Sequence, residues 1–264
     1  MRRWRALLSL AGGVLAGGVL AATAVHAAAL PSFSQVRAGY RPSDVQVLDR
    51  HGQPLQTLRT DPRGRRLAWL ALDDVSPMLR QALVLSEDRR FWEHSGVDWA
   101  ALASSAWTRA LNGRTRGAST VTMQLAGLLD EELARPQGGR GLAQKLGQLA
   151  AASALEARWR KSEILEAYLN LVPLRGELVG LNAATQTMFA KHASGLDAQE
   201  AALLAVLVRA PNADARAVTR RACALLGAMQ QPAAGAATLL LPARPCQGLD
   251  ALAEVALQRR GGMP

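Results

Sequence analysis

The densest concentration of potentially reactive side chains lies in LSEDRRFWEHSGVD, residues 85–98. Two adjacent carboxylates, Glu87 and Asp88, precede a histidine, His94, and a third carboxylate, Asp98, with Phe91, Trp92 and Gly96 between them. Acids and an imidazole set among large aromatic rings are the ingredients of proton-transfer chemistry, because rings exclude water from groups that must exchange a proton. A helix end with scattered charges would produce the same residues, and for such a cluster taken alone it is the commoner outcome. The decision therefore rests on what the rest of the chain builds around it.

Ser76 and Pro77 open a helix, since serine is a favoured cap and a proline at the first helical position gives up an N–H that has no partner there. Met78, Leu79, Ala82, Leu83 and Leu85 supply its buried face, and it delivers Glu87 at its far end. Helical geometry continued past that point would put Glu87, Phe91 and His94 on one face, although Gly96 argues against continuation beyond His94. Asp98 caps the next helix, in which Trp99, Leu102, Ala103, Ala106, Trp107, Ala110 and Leu111 form a core stripe that ends at Asn112 and Gly113. After a basic loop, Arg114 to Arg116, the run GASTVTMQLAGLL starts a helix with small hydroxyl-bearing residues. That start fits an anion site at a helix N-terminus and equally an ordinary serine or threonine cap.

Residues 131–141 read as a polar, glycine-rich loop. A long helix then carries Lys145, Gln148, Leu149, Leu155 and Glu156, another covers Lys161 to Asn170, and Pro173 ends it. Arg175 to Lys191 is a loop entering a helix. Asp197 and Glu200 form a capping box for the apolar helix Ala201 to Val208, which stops at Pro211. One more helix, Ala217 to Met229, leads into a weakly structured tail. Upstream, Val45–Leu48 and Leu55–Leu58 flank Arg50, His51 and Gly52 as a β-hairpin, with His51 a solvated turn residue, and Arg66–Leu70 is a second candidate strand. Ser32 to Tyr40 reads as a short linker. The fold class expected is mainly α with a small β-hairpin element.

The chain has 264 residues, 49% hydrophobic but only 4% aromatic, with a net charge of +10. That length allows one sizeable core, and the alanine and leucine content favours helices. The excess charge points to an anionic partner, and arginine supplies nearly all of it, since Lys145, Lys161 and Lys191 are the only lysines. Arg2, Arg3 and Arg5 precede an uncharged run from Ala6 to Leu30, long enough for a bilayer, which takes ~20 apolar residues. The basic side stays in the cytoplasm, so the body is expected to be exported. An uncleaved anchor is favoured by the length of the run, with a signal peptide cleaved near Ala27–Ala29 as the competitor. Export makes nucleic acid an unsuitable partner and lipid phosphate a suitable one. Cys223 and Cys246 could pair in an oxidising compartment. The sequence has neither zinc-finger spacing nor a phosphate-binding glycine loop.

These pieces together resemble the peptidoglycan glycosyltransferases of glycosyltransferase family 51, the polymerising domain of class A penicillin-binding proteins, across roughly residues 45–211. SEDRRFWEHSGVD resembles the first motif of that family, GASTVTMQ the second, KSEILEAYLN the fourth and Gly180 to Lys191 the fifth, and the wording is nearest the penicillin-binding protein 1C branch. The organisation implied is a basic tip and transmembrane anchor (1–30), a linker (31–44), the glycosyltransferase domain (45–211) and an alanine-rich helix and tail (212–264). The resemblance implies a lysozyme-like, mainly helical fold. No Ser-x-x-Lys motif occurs, and the chain runs only a short way past the matching region, so no transpeptidase domain is expected.

The reaction implied joins a growing lipid-linked glycan, as donor, to lipid II, as acceptor, at the inner membrane with the domain in the periplasm. Glu87 is similar in position to the family's general base, with Asp88 and His94 as neighbours that orient it or the substrate. Ser119, Thr120 and Gln124 match residues shaping the donor side of the cleft, and Lys145 and Lys191 match cationic positions, Lys145 being the best candidate for the diphosphate. The second glutamate of the family, in motif three, falls on Gln148, which carries no charge and is a poor metal ligand. No cofactor is required with certainty; a divalent cation, magnesium or manganese, could assist, and Gln148 weakens that route. No metal ligand is assigned. Glu156 fits a structural acid better than a displaced catalyst. Further departures are Gly127 and Gln144, where arginines are usual, and Arg175, where the branch has glycine; Arg114 and Arg116 could replace a lost cation. A separate transpeptidase or a component of the division or elongation machinery is the implied protein partner. Two other readings stand beside the polymerase: a degenerate, non-catalytic relative that binds lipid II or scaffolds wall synthesis, and a lytic enzyme cleaving glycan strands.

Overall fold

The structure, a computed structural model, describes residues 30–112, 119–130, 142–230 and 243–259, with backbone alone at 46, 54, 57, 106–112 and 142–146. The expected anchor apart from Leu30, the basic loop with Arg114 and Arg116, the 131–141 loop, and the side chains of Gln144 and Lys145 lie outside what is described. Among the described residues, no helix is long and apolar enough to cross a membrane. The chain divides into two compact units, one holding residues up to Val36 with Phe91–Ile164, the other Arg37–Arg90 and Leu165 onward.

Helix α1, Phe33–Gly39, replaces the expected linker. Its origin is a capping pattern in the sequence, Ser32 and Gln35: the Ser32 N–H donates to Gln35 Oε1 at 2.7 Å and the Gln35 N–H to Ser32 Oγ at 3.2 Å.

In the second unit, strands β1, Asp44–Leu48, and β2, Pro54–Arg59, pair antiparallel as the alternation predicts. Asp49 closes the turn by accepting the His51 and Gln53 N–H groups at 2.8 Å, and Gly52 supplies φ 78°. His51 is an exposed turn residue. The expected strand at Arg66–Leu70 does not form. An isolated bridge joins Arg65 to Leu178, and beyond it a side chain takes the place of a neighbouring strand: Asn170 Oδ1 accepts the Leu70 N–H and Asn170 Nδ2 donates to the Leu70 carbonyl, both at 2.8 Å.

The core of this unit is a helix pair. Helix α2 spans Pro77–Glu87 with Leu79, Ala82, Leu83 and Val84 buried. Ser76 stands at its cap position without making the expected cap bond; its Oγ donates instead to the Leu196 carbonyl at 2.9 Å. Two helices defined further along the chain complete the pair's surroundings, α8, Ala198–Arg209, and α9, Ala215–Met229. Helix α8 is apolar all round and is buried over nearly its whole length, as such a sequence requires. Its capping box of Asp197 and Glu200 forms as predicted. Ser76 N–H donates to Ala193 O at 3.0 Å at one end of the pair, and Arg209 Nη1 to Ser86 O at 3.1 Å at the other. The two helices therefore run parallel, with their N-termini together and their C-termini together.

In the first unit, α3 covers Trp99–Asn112 and α4 covers Val121–Leu129, followed by α5, Leu142–Glu156. Asp98 caps α3 by accepting the Ala101 N–H at 2.7 Å. Trp99 is 69% exposed and Ala103 is exposed, so of the expected core stripe Leu102 alone is seen half-buried, the side chains from Ala106 to Leu111 lying outside the described residues. Leu102 and Leu149 pack on Val97, Met123 and Ala152. Helix α6, Lys161–Leu171, begins in this unit and continues into the other. Helix α7 follows at Leu181–Phe189. Gly180 before it has φ 79°, and a Cβ there would stand 2.6 Å from the Asn170 carbonyl, so only glycine fits.

The tail departs most from expectation. Helix α10, Leu249–Gln258, packs on α9, with Leu249, Ala253 and Ala256 buried. A Cys223–Cys246 disulfide ties the segment before it to α9, and Gln199 Nε2 donates to the Pro245 and Gln247 carbonyls at 2.8 and 2.9 Å.

Candidate active site

Glu87 is the last residue of α2, half-buried, on a backbone that the Arg209 guanidinium and α8 hold at Ser86. The negative end of the α2 dipole lies at the same place and opposes a carboxylate charge there. The helix stops at this point: Asp88 is its C-cap, 7% exposed, with its N–H on the Val84 carbonyl at 2.9 Å. The continuous helical face expected for Glu87, Phe91 and His94 is therefore not formed. A residue absent from the sequence-based set joins Glu87: Tyr168 of α6, completely buried, whose hydroxyl is pushed well above its ordinary acidity range by burial and then by the charge of Glu87. A phenol in such a place stays protonated and keeps an O–H to donate.

Lys191 stands elsewhere. Its Nζ pairs with Glu200 at 2.8 Å, an interaction that raises the affinity of the ammonium for its proton. Glu200 is the acid of the α8 capping box, so Lys191 sits at the N-terminal end of the parallel pair and Glu87 at the C-terminal end. With 1.5 Å of rise per residue, the eleven residues from Ser76 to Glu87 separate those ends by ~16 Å. The two motif residues are thus not brought together.

The first unit assembles motif one with motif two. Thr120 is the cap of α4, accepting the Met123 N–H at 3.1 Å and donating to the Gly96 carbonyl at 2.6 Å, and it is 2% exposed. Both of its hydrogen-bonding roles are thereby used to hold the loop. Ser119 and Gln124 beside it are half-buried. Gly96 has φ 88°, and a Cβ there would meet the Ala152 carbonyl at 2.6 Å and Glu156 Cγ at 3.0 Å. His94 is half-buried, with its ring edge-on to Phe91 at 6.4 Å. Gln148 is completely buried on α5, and Lys145 lies on the same helix with its side chain outside the described residues.

Other residues singled out by sequence find structural employment. Glu156 Oε1 accepts from Thr122 Oγ1 and Lys161 Nζ, both at 2.7 Å, which makes it the structural acid expected. Arg175 donates to the Pro211 and Ala213 carbonyls at 3.2 and 3.0 Å, past the end of α8. Gly127 is a half-buried position on α4. Glu166 accepts from Trp69 Nε1 at 2.8 Å and from the Leu72 N–H at 2.9 Å, so the fourth motif works largely as a brace. Tyr168 could have been noticed in the sequence, because it is the only aromatic residue of that motif.

Among the described residues, the donors do not suit a divalent cation. Gln148 offers a neutral amide where a carboxylate would be wanted. Among the described residues no group of three His, Cys, Asp or Glu side chains is placed to hold one.

Comparison with known proteins gives the geometry its context. A family described as Transglycosylase matches residues 51–230, more than half of the chain. Penicillin-binding protein 1C of Escherichia coli (strain K12) is 42% identical over 144 residues, which is 54% of this chain and 18% of that protein. A biosynthetic peptidoglycan transglycosylase of Rhodospirillum centenum is 39% identical over 162 residues, covering 61% of this chain and 68% of the relative. One from Rhizobium meliloti is 36% identical over 150 residues, 56% and 61% respectively. The chain thus spans under a fifth of the first of these relatives and about two thirds of the other two. With its motifs and the extent of the family match in agreement, the chain belongs to the transglycosylase family.

Proposed function

We propose that the chain is a peptidoglycan glycosyltransferase that polymerises lipid II, with Glu87 as general base and inversion at the transferred sugar. The observation that carries this reading is Glu87 itself: a half-buried carboxylate at the end of a rigidly packed helix, with the buried Tyr168 responding to its charge. Glu87 takes the proton from the acceptor's sugar hydroxyl as that oxygen attacks the anomeric carbon of the donor. The bond from that carbon to the lipid diphosphate breaks, and the diphosphate leaves with the electron pair. One base suffices, because a diphosphate is a good leaving group. Asp88 orients Glu87, Lys145 meets the diphosphate, and His94, Ser119 and Gln124 contact the sugars. Lys191 acts on the site through Glu200 and α8. No step passes through a metal ion. The fold proposed is the lysozyme-like one of this family.

The proposed location is the outer face of the inner membrane, with residues 1–30 as anchor and a separate transpeptidase as partner. The Cys223–Cys246 disulfide supports an oxidising compartment, and exposed Trp92 and Trp99 suit a membrane–water boundary. The test is lipid II polymerisation by the full chain in detergent or vesicles, beside Glu87→Gln. Glycan from the wild type and none from the variant is the expected result; equal product from both would remove Glu87 from the mechanism.

A second reading is favoured by one specific observation, the neutral and buried Gln148 at the third motif. A non-catalytic relative that binds lipid II or scaffolds wall synthesis would show saturable lipid II binding without turnover.

A further inference from the structure

Lys161 and Glu156 face each other across the short connection between α5 and α6, and their contacts reach well beyond it. Glu156, with 8% of its side chain exposed, accepts from Lys161 Nζ and from Thr122 Oγ1. Lys161, 20% exposed, also places its ammonium 4.4 Å from the centre of the Phe91 ring, and that ring is completely buried. Gly96 closes on Ala152 and on Glu156 Cγ so tightly that no side chain fits, and its carbonyl takes the Thr120 hydroxyl. The loop from Phe91 to Gly96 is therefore gripped at both ends by one ion pair and its neighbours. His94 lies between the grips, and Glu87 is four residues before the first.

A buried ion pair is an expensive way to join two helices, because apolar side chains would do so without desolvating charges. A cation held by a carboxylate and aimed at a ring face fixes something an apolar contact does not: the position and tilt of the ring, and so the path of the chain through it. We infer that Lys161 and Glu156 are positioning residues for the reaction, a clasp that sets the motif-one loop and with it the placement of His94 and of the segment following Glu87. The inference rests on the reading of Glu87 and His94 as working residues.

The test uses the full-length protein. Glu156→Gln combined with Lys161→Met removes both charges together, leaving neither one buried alone, and so keeps the fold. Hydrogen exchange and lipid II kinetics are then measured on the wild type, this double variant and Lys161→Arg, which retains charge and ring contact. The expected result is amide exchange at least tenfold faster across residues 92–97 in the double variant, with the rest of the molecule protected as before. Its kcat should fall at least tenfold, with KM for lipid II within about threefold, and Lys161→Arg should recover most of the rate. Should the double variant not fold, Phe91→Leu carries the same comparison, because it keeps an apolar side chain and removes the ring face. Unchanged exchange in the loop would overturn the clasp, and loosened exchange with wild-type kcat would overturn its role in positioning. A wild type without glycan product would instead refute the proposed activity, leaving the exchange result to judge the clasp alone.

Discussion

Among the described residues, α2 and α5 both end in glutamate, and the two ends have different surroundings. At the end of α5, Glu156 is nearly buried and locked between a threonine hydroxyl and an ammonium, both at 2.7 Å. At the end of α2, Glu87 is half-buried, its nearest serine hydroxyl, Ser86 Oγ, stands 3.5 Å away, and its charge weighs on the buried Tyr168. A carboxylate held by two short charge-assisted hydrogen bonds is fixed in position by them. Glu87 stands instead at the negative end of the α2 dipole and is only half-buried. Under the proposed function, proton chemistry belongs at the second end, and the first holds the loop that follows it.

The largest effect separates the two in activity. Glu87→Gln keeps the size and hydrogen-bonding shape of the side chain while removing the base, so kcat for lipid II polymerisation should fall ~10²–10⁴-fold, the usual contribution of general-base catalysis. Its thermal midpoint should stay close to that of the wild type. A loss of stability without a matching loss of rate would place Glu87 with Glu156 as a structural acid.

Glu156→Ala should lower stability as well as rate. It strands the Lys161 ammonium in a largely buried place, at a cost of about 3–5 kcal/mol in unfolding free energy. Chemical denaturation, followed by far-UV circular dichroism, reads this as a lower midpoint with an unchanged slope. A midpoint equal to that of the wild type would mean that the ion pair does not hold α5 and α6 together.

These two glutamates also mark how far sequence alone could be read. Local signals sufficed for α2 to α9, because apolar spacing, Pro77, Asp98 and the Asp197–Glu200 capping box act within a turn of where they stand. Glu156 was recognisable as structural, yet its partners were not, since Thr122 is 34 residues away and Phe91 reaches it only through Lys161. The strand expected at Arg66–Leu70 failed for the same reason: Asn170, 100 residues on, satisfies the Leu70 backbone. Lys191 matched a motif position, but only the parallel packing of α2 and α8 shows it at the opposite end from Glu87. Tyr168 was missed because burial and a distant charge, neither visible in its neighbours, give it significance. Helix α10 was hidden in an alanine-rich tail whose order depends on contacts with α9 and on the disulfide.

Smaller changes test the hydroxyl beside each glutamate. Thr122→Val removes a 2.7 Å bond to a carboxylate while keeping the branched shape, and should destabilise the protein by about 1.5–3 kcal/mol, the range for hydrogen bonds to charged groups. The thermal midpoint should drop measurably, and a change of less than ~0.5 kcal/mol would show that Lys161 alone holds Glu156.

Ser86→Ala is the matched change at the other helix end, and there the effect should nearly vanish. Ser86 Oγ lies 3.5 Å from Glu87 and 3.4 Å from the Ala205 carbonyl, both at the outer limit of hydrogen bonding, and the Arg209 contact is to the Ser86 main chain, which alanine preserves. Alanine also favours helix by a few tenths of a kcal/mol relative to serine, which offsets the lost weak contacts. The unfolding free energy should therefore change by less than ~0.5 kcal/mol, the scale of substitutions away from special contacts, and kcat should stay within about twofold. A rate loss of tenfold or more in Ser86→Ala, with stability intact, would mean that this serine tunes Glu87 after all, and the two helix ends would then differ in degree rather than in kind.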